Sequence, residues 1–469
     1  MQRLSGMDAT FLYLETPTNH MHVAATAVLD PSDVPGGYSF DRFRDLVESR
    51  LHLVPPFRRR LAEIPFQLHH PLWVEDPDFD IEYHLRRAAL PSPGGERELA
   101  EFAADVMSRP LDRTKPLWEM YVVEGLEHGM IAVVAKTHHA AIDGISGAEL
   151  MVALLDLGPE PAPAPPPPEW RPERVPTDLE LVAFALSSLS RQPLAGLKAA
   201  RRTVEAALTL RRRNRLPEVS PPPAPFSAPR TSINTAITPH RKFAFTQVPL
   251  DDAKAIKRAL GGTVNDVVLA LCAGALRSYL VARDEPVEES LVALVPISVR
   301  DGGRQGDGTL GNKIGQLLVS LGTAIHDPVE RLRAIADSTR HAKSQSNAIG
   351  ADILTNWAEF AAPAVFARAA RLYTNMKLAD RHRPLFNLTV SNVPGPQFPL
   401  YIAGTRLVAL YPMGPVSDGG ALNITAMSYM GNLYFGLVAC REAVPHVDTI
   451  AAGISSSLDE LLKAAAAGA

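Results

Sequence analysis

The spacing of apolar and polar positions divides this chain into short strands and amphipathic helices. Met130 to Thr137 is a β-branched apolar run that predicts a buried strand. After it, Ser146 and Glu149 form an S-x-x-E capping box, and Leu150, Met151, Leu154 and Leu155 repeat at helical spacing, which predicts a helix. Trp118 to Val123 pairs in pattern with Met130 to Lys136 as a hairpin closed by Glu127-His128-Gly129. Further along, Asp251 to Leu260 predicts a short helix and Asn265 to Leu280 a long one with an apolar face. Leu291 to Val299, Ile314 to Leu321 and Leu385 to Val390 read as strands, and Ile353 to Leu372 as a helix broken at Pro363. Interspersed elements of both kinds predict an α/β or α+β sandwich.

One uncharged run, Gly419 to Cys440, is long enough to span a bilayer. Polar residues alternate into Leu422 to Tyr429, and Gly431-Asn432 separates it from Leu433 to Val438, so the run predicts a hairpin rather than a span. Two proline clusters, Pro159 to Pro168 and Pro221 to Pro225, mark linkers. They divide the chain into a first part at 1–156, a linker region at 157–239 and a second part at 240–469. Between the clusters, Asp178 to Arg215 is helical in composition and broken at Pro193. Its second half carries Arg191, Lys198, Arg201, Arg202, Arg211, Arg212, Arg213 and Arg215 against Glu205, with leucines interspersed. That pattern suits a helix lying on an anionic lipid surface, and equally a helix packed on the protein with a solvated basic face.

With 469 residues and 46% hydrophobic content, the chain can bury a large core. A net charge of −4 argues against nucleic acid as the main partner. Cys272 and Cys440 stand far apart in apolar segments and suit neither a redox pair nor a metal cluster. His20 with His22, and His69 with His70, form close pairs, but no carboxylates or cysteines cluster with them in sequence, so no metal is expected. The start, Met1-Gln2-Arg3-Leu4-Ser5, lacks the apolar stretch of a secretory signal, and a cytoplasmic protein is expected.

Candidate chemistry concentrates where the predicted strand gives way to the helix, at His138-His139-Ala140-Ala141-Ile142-Asp143-Gly144. A strand end exposes side chains to a cleft. Imidazole titrates near neutrality, so a neutral His139 can take a proton from a hydroxyl as that oxygen attacks an electrophile. Asp143 either orients the imidazole or pairs with a distant arginine to hold the turn, and spacing does not separate these roles. Gly144 relieves the backbone if the turn needs positive φ or the close approach of another segment. Neither a G-x-S-x-G elbow nor a cysteine near a histidine offers a covalent nucleophile.

Several separated segments carry a family likeness: Leu4-Ser5-Gly6-Met7-Asp8-Ala9-Thr10-Phe11-Leu12, Trp73 to Asp80, Pro116-Leu117-Trp118-Glu119, the histidine motif, Asn265-Asp266-Val267-Val268-Leu269-Ala270, Val295 to Arg300 and Ser391-Asn392-Val393-Pro394-Gly395-Pro396. In this order they resemble the bacterial wax ester synthase/diacylglycerol acyltransferase family, within the CoA-dependent acyltransferase superfamily. HHxxxDG alone also occurs in peptide-synthetase condensation domains. The resemblance implies two chloramphenicol-acetyltransferase-like halves around a central substrate tunnel. It implies acyl-CoA as co-substrate, no further cofactor, and diacylglycerol or a long-chain alcohol as acceptor. His139 would be the general base, His138 a positioning residue, and Asp143 a structural partner of Arg300. Ser391 would supply the oxyanion hydroxyl. Pro116, Trp118, Gly144, Asn265, Asp266 and Asn392 would lie along bound substrate, although helix capping accounts for Asn265 and Asp266 equally simply, and packing beside the active site is the simpler account of Pro116 and Trp118.

An enzyme making water-insoluble lipid would work at the inner membrane face or on lipid droplets. Two alternatives stand beside the acyltransferase: an amide-forming condensation enzyme, which would need a carrier module that this chain does not contain, and a non-catalytic lipid-surface protein.

Overall fold

A computed structural model describes residues 2–142, 147–166, 174–189, 223, 226–299, 313–349 and 363–467. Asp143, Gly144, the Ser146 cap, Arg300, positions 190–222 of the basic segment and positions 353–362 of the broken helix lie outside them.

Two six-stranded sheets organise the described residues. In the first, the spatial order is Tyr401–Ile402, Thr405–Met413, His22–Asp30, Ile131–His138, Trp118–Glu124 and Leu85–Ala89, antiparallel except for the last pair. The second runs Lys313–Ser320, Val292–Val299, Leu388–Val393, Leu422–Tyr429, Asn432–Cys440 and Arg241–Pro249. Its Leu388–Val393 strand is parallel to both neighbours, and the other pairs are antiparallel. A small third sheet joins Gln2–Arg3, Leu72–Glu75 and Arg59–Ala62.

The predicted α/β mixture is therefore what the chain builds. Its divisions in sequence and in space differ, however. Residues 401–413 belong to the second half of the sequence, yet they complete the first sheet by pairing with His22–Asp30. Where this strand passes over the second sheet, Gly436 has no side chain to obstruct it: a Cβ there would stand 1.8 Å from the Pro412 carbonyl oxygen. The two sheets can therefore pack closely only because position 436 is glycine.

Most strands fall where the pattern puts them, and two deviate for local reasons. Predicted at Leu385 to Val390, one strand forms instead at Leu388–Val393. Asn387 sits just before it, its side-chain oxygen accepting from Val292 N (2.7 Å) and its Nδ2 donating to Pro229 O (2.6 Å) and Asn234 Oδ1 (2.7 Å). That buried knot fixes the entry point. In the late hairpin Tyr429 pairs with Asn432, so the two-residue turn is Met430-Gly431, one position earlier than the Gly-Asn pair suggests. Both turn residues have positive φ, 45° and 79°, as a turn matched to strand twist demands.

Val264–Val281 is apolar and long enough to cross a bilayer by composition alone, but 72% of it is buried inside the protein. It packs on the C-terminal helix Val447–Ala467 and behaves as a core helix.

An ion pair ties the element after the histidine motif to the rest of the first half. Arg50, closing the helix Phe40–Arg50, donates to Asp156 Oδ1 (2.6 Å), to Leu154 O (3.1 Å) and to Ala162 O (2.9 Å). Both partners are buried. Asp156 also exchanges main-chain hydrogen bonds with Tyr401 of the crossing segment. Removing one partner of such a pair strands the other charge away from water, at a cost of about 3–5 kcal/mol. Asp156→Ala is expected to lower the melting temperature by several degrees, and an unchanged thermal midpoint would contradict this role.

Candidate active site

The histidine motif sits at the end of the strand Ile131–His138, in the short helix His139–Ile142. Antiparallel register places His138 opposite His22. Two main-chain bonds fix the corner: His138 N donates to Leu117 O and His139 N to Met21 O, both at 2.9 Å. Met21 adopts φ 49°, a left-handed conformation uncommon for a side-chain-bearing residue, at the point where its carbonyl meets His139.

The helix Gly6–Leu14 supplies contacts to both histidines. Ser5 caps it, its hydroxyl accepting from Asp8 N at 3.0 Å. Phe11 stacks on the His139 ring, with centroids 4.0 Å apart and planes inclined at 23°. Glu15, one turn further along, brings Oε2 to 3.7 Å from His138 Nε2. Residues four apart share a helix face, so one helix addresses two adjacent imidazoles. Around them pack Leu12, Tyr13, Leu117, Ala140, Ala141 and Ala367.

His138 is buried, and its Nδ1 accepts from Ala140 N at 3.1 Å. That bond leaves the ring proton on Nε2, facing Glu15. Burial pushes His138 down to about 3, helped by the Arg113 and His139 charges. Burial likewise pushes His139 down to about 4. Both rings are neutral at pH 7, and among the described residues His139 Nδ1 has no hydrogen-bond partner. Desolvation acts oppositely on Glu15, raising its carboxyl to about 7 against the pull of Arg113. The corner is thus a pocket of low polarity that suppresses charge on acid and base alike.

His20 and His22, read as a close pair in the sequence, continue this buried set. Their rings stack at 5.4 Å, and His22 meets His138 edge-on at 5.9 Å. His20 Nε2 lies 3.1 Å from Ser108 O, and burial takes its ring down to about 4. Among the described residues, no group of three or more histidine, cysteine, aspartate or glutamate side chains is placed to hold a metal ion. His70 is engaged elsewhere, its Nδ1 paired with Tyr13 Oη at 2.7 Å.

The remaining candidates separate into two kinds. Trp118 is core: Phe57 and His84 stack on it at 4.6 and 4.7 Å, and its Nε1 donates to Phe57 O. With 1% of its surface exposed it braces the motif strand, and Pro116 beside it is buried too. Asp266 closes a capping box, its Oδ2 accepting from Thr263 N (2.8 Å) and Thr263 Oγ1 (2.7 Å). Asn265 and Asn392 meet across the second half, with Nδ2 of Asn392 donating to Oδ1 of Asn265 at 3.4 Å. Ser391 is half-buried, paired in register with Thr425 on the second sheet. Asp143, Gly144 and Arg300 lie outside the described residues.

Phe11, Glu15 and Met21 did not emerge from the sequence as site residues. A signal was present in the one-turn spacing of Phe11 and Glu15, but nothing in the local pattern says which helix covers which strand end.

With the geometry in place, likeness to known proteins decides the class. A family model for the wax ester synthase/diacylglycerol acyltransferase catalytic domain matches residues 4–268, and one for the family's C-terminal domain matches 310–462. A candidate diacylglycerol O-acyltransferase of Mycobacterium tuberculosis is 41% identical over 465 residues, covering 99% of this chain and 90% of that protein. Another, from Mycobacterium bovis, is 36% identical over 473 residues, covering 99% of both. Among solved structures, the wax ester synthase/diacylglycerol acyltransferase from Marinobacter aquaeolei VT8 is 31% identical with a TM-score of 0.69, covering 99% of this chain and 100% of that one. The first condensation domain of the calcium-dependent antibiotic synthetase shares the fold, at 14% identity and a TM-score of 0.54, covering 99% and 97%. The protein is thus an acyltransferase. It belongs to the wax ester synthase/diacylglycerol acyltransferase family.

Depressed imidazole pKa values make stability pH-dependent. In the unfolded chain these rings take up protons below about 6.5, whereas the folded rings of His20, His138 and His139 do so only near 3 to 4. Stability contributed by each ring is therefore lost as pH falls, by about 2 kcal/mol at pH 5. Glu15 opposes this, because its folded carboxyl keeps a proton that the unfolded one releases above about 4.5. Three imidazoles outweigh one carboxyl. The urea midpoint is expected to fall from pH 7 to pH 5, and a flat or rising midpoint would refute the neutral assignment.

Proposed function

We propose that this chain transfers an acyl group from acyl-CoA to the free hydroxyl of a diacylglycerol, forming triacylglycerol, with long-chain alcohols as a second acceptor class giving wax esters. The observation that carries the proposal is the neutral, Phe11-stacked His139 at a strand end in a chain matched by both domains of the family. His139 accepts the hydroxyl proton as that oxygen attacks the thioester carbonyl. The resulting tetrahedral oxyanion collapses with expulsion of CoA thiolate, which takes the proton back from the imidazolium. Protons balance within one turnover, and no acyl-enzyme is needed.

Each remaining residue has a role in this reading. His138 fixes the corner through its bond from Ala140 N, and Phe11 holds the His139 ring by a stack of about 0.5–1.5 kcal/mol. The Ser391 hydroxyl donates to the oxyanion. Asn265 and Asn392 line the acceptor side. Asp143 pairs with Arg300 and holds the motif turn. Attachment to the inner membrane face or a lipid droplet belongs to the same proposal, since both acceptors partition into lipid.

The test incubates purified protein with labelled acyl-CoA and either diacylglycerol or hexadecanol. His139→Ala is expected to lose about 10²–10⁴-fold in turnover, and His138→Ala less. Equal turnover by His139→Ala would sink the mechanism, and no turnover with either acceptor would sink the substrate assignment.

A further inference from the structure

The helix Pro363–Asn375 presents two different faces. One reaches the site: Ala367 packs in the cluster that holds Ala140 and Ala141, and Phe366 meets Tyr13 edge-on at 6.4 Å. The charge of Arg371 is felt at Glu15. The other face is apolar and open to solvent. Val365, Ala369, Leu372 and Met376 are exposed at positions i, i+4, i+7 and i+11, the last just beyond the helix. At about 100° per residue they fall within a stripe about 60° wide. Val365 is 67% exposed and Leu372 57%.

Among the described residues that stripe has no partner, and the charged residues on the helix are cations; of the acids near it, Asp418 is tied to the protein by accepting from Thr374 Oγ1 (2.6 Å) and Ile237 N (2.9 Å). Arg368 and Arg371 lie exposed on the helix and Lys377 just after it, while the helix itself contains no acidic residue. The turn Pro65–Gln67 packs against the same helix and holds Phe66 87% exposed. Phe66 and Gln67 both adopt left-handed backbone conformations, φ 59° and 53°. An aromatic side chain in that region costs roughly 1 kcal/mol or more, and solvent exposure returns nothing for it.

We infer that this face, the Val365-Ala369-Leu372-Met376 stripe with the Phe66 turn, inserts into a phospholipid surface bearing anionic headgroups. The apolar stripe enters the acyl boundary while Arg368 and Lys377 meet headgroup phosphates, the arrangement that holds a helix in the plane of an interface. The charges favour a lipid surface over a second copy of this chain, because two such faces would oppose cation to cation. The inference rests on the proposed lipid acceptor and adds its entry side: the helix whose outer face meets the lipid has its inner face on the histidine motif.

Co-sedimentation with phosphatidylglycerol/phosphatidylcholine vesicles tests it, using wild type, Val365→Glu/Leu372→Glu, and Phe66→Ser as a variant whose exposed site cannot unfold the chain. Burial of these side chains predicts at least about a tenfold loss of vesicle partitioning in each variant. Turnover with vesicle-embedded dioleoylglycerol should fall in parallel, while turnover with water-dispersed dihexanoylglycerol stays within about twofold. Wild-type partitioning by both variants would overturn the inference. So would a wild-type dimer that the double variant converts to monomer without change in vesicle binding. Absence of turnover with every acceptor by wild type, with vesicle binding intact, would instead count against the acceptor assignment and leave the surface standing.

Discussion

The site depends on one register: His22–Asp30 lies antiparallel to Ile131–His138 with His22 opposite His138. A slip by one residue would turn every side chain of the motif strand to the other face and carry His139 away from the Met21 carbonyl. Three features hold the register. The strands on either side, Thr405–Met413 and Trp118–Glu124, pair along most of their length. Trp118 is clamped between Phe57 and His84. Lys136, buried two residues before the histidines, donates to Val106 O (3.1 Å) and Arg109 O (3.0 Å) and pairs with Glu119 at 3.2 Å. Those carbonyls lie at and just past the end of the helix Glu96–Ser108, where a cation is favoured.

This scaffold makes a dry corner, and dryness sets the chemistry. Burial is the leading cause of every pKa shift at the corner: it lowers His20, His22, His138 and His139 and raises Glu15. Aromatic stacking of Phe11 orients the His139 ring without adding a charge. Burial keeps the His139 ring neutral, and among the described residues its Nδ1 has no partner. The two halves meet here as well. Arg241, the first residue of a second-sheet strand, donates to the Thr18 carbonyl, and its main-chain N donates to Ser108 Oγ at 2.9 Å.

Local pattern made much of the fold legible. The motif strand, its hairpin partner and the long helix at Val264–Val281 all stand within a residue or two of expectation, because each is a strong periodic run with clear ends. What stayed hidden was non-local. The segment 401–413 lies late in the chain, and its pairing with His22–Asp30 is a long-range contact that its own pattern does not specify. Asn387 shifted a strand through bonds to residues up to 158 positions away in the chain. At the site, His138 and His139 were legible as paired imidazoles at a strand end. Phe11 and Glu15 were not, because their role comes from a helix more than a hundred residues earlier docking on that corner.

The central claim is that His139 works as a neutral base whose proton affinity burial has lowered. The most direct measurement is the pH dependence of kcat/KM for acyl transfer from pH 3.5 to 8, with activity restored at pH 7 after each exposure to separate titration from unfolding. With His139 at about 4, the rate should hold through pH 6 and 5 and fall only as pH drops through about 4. An acid limb centred near 6.5, the value of a solvated imidazole, would contradict the account.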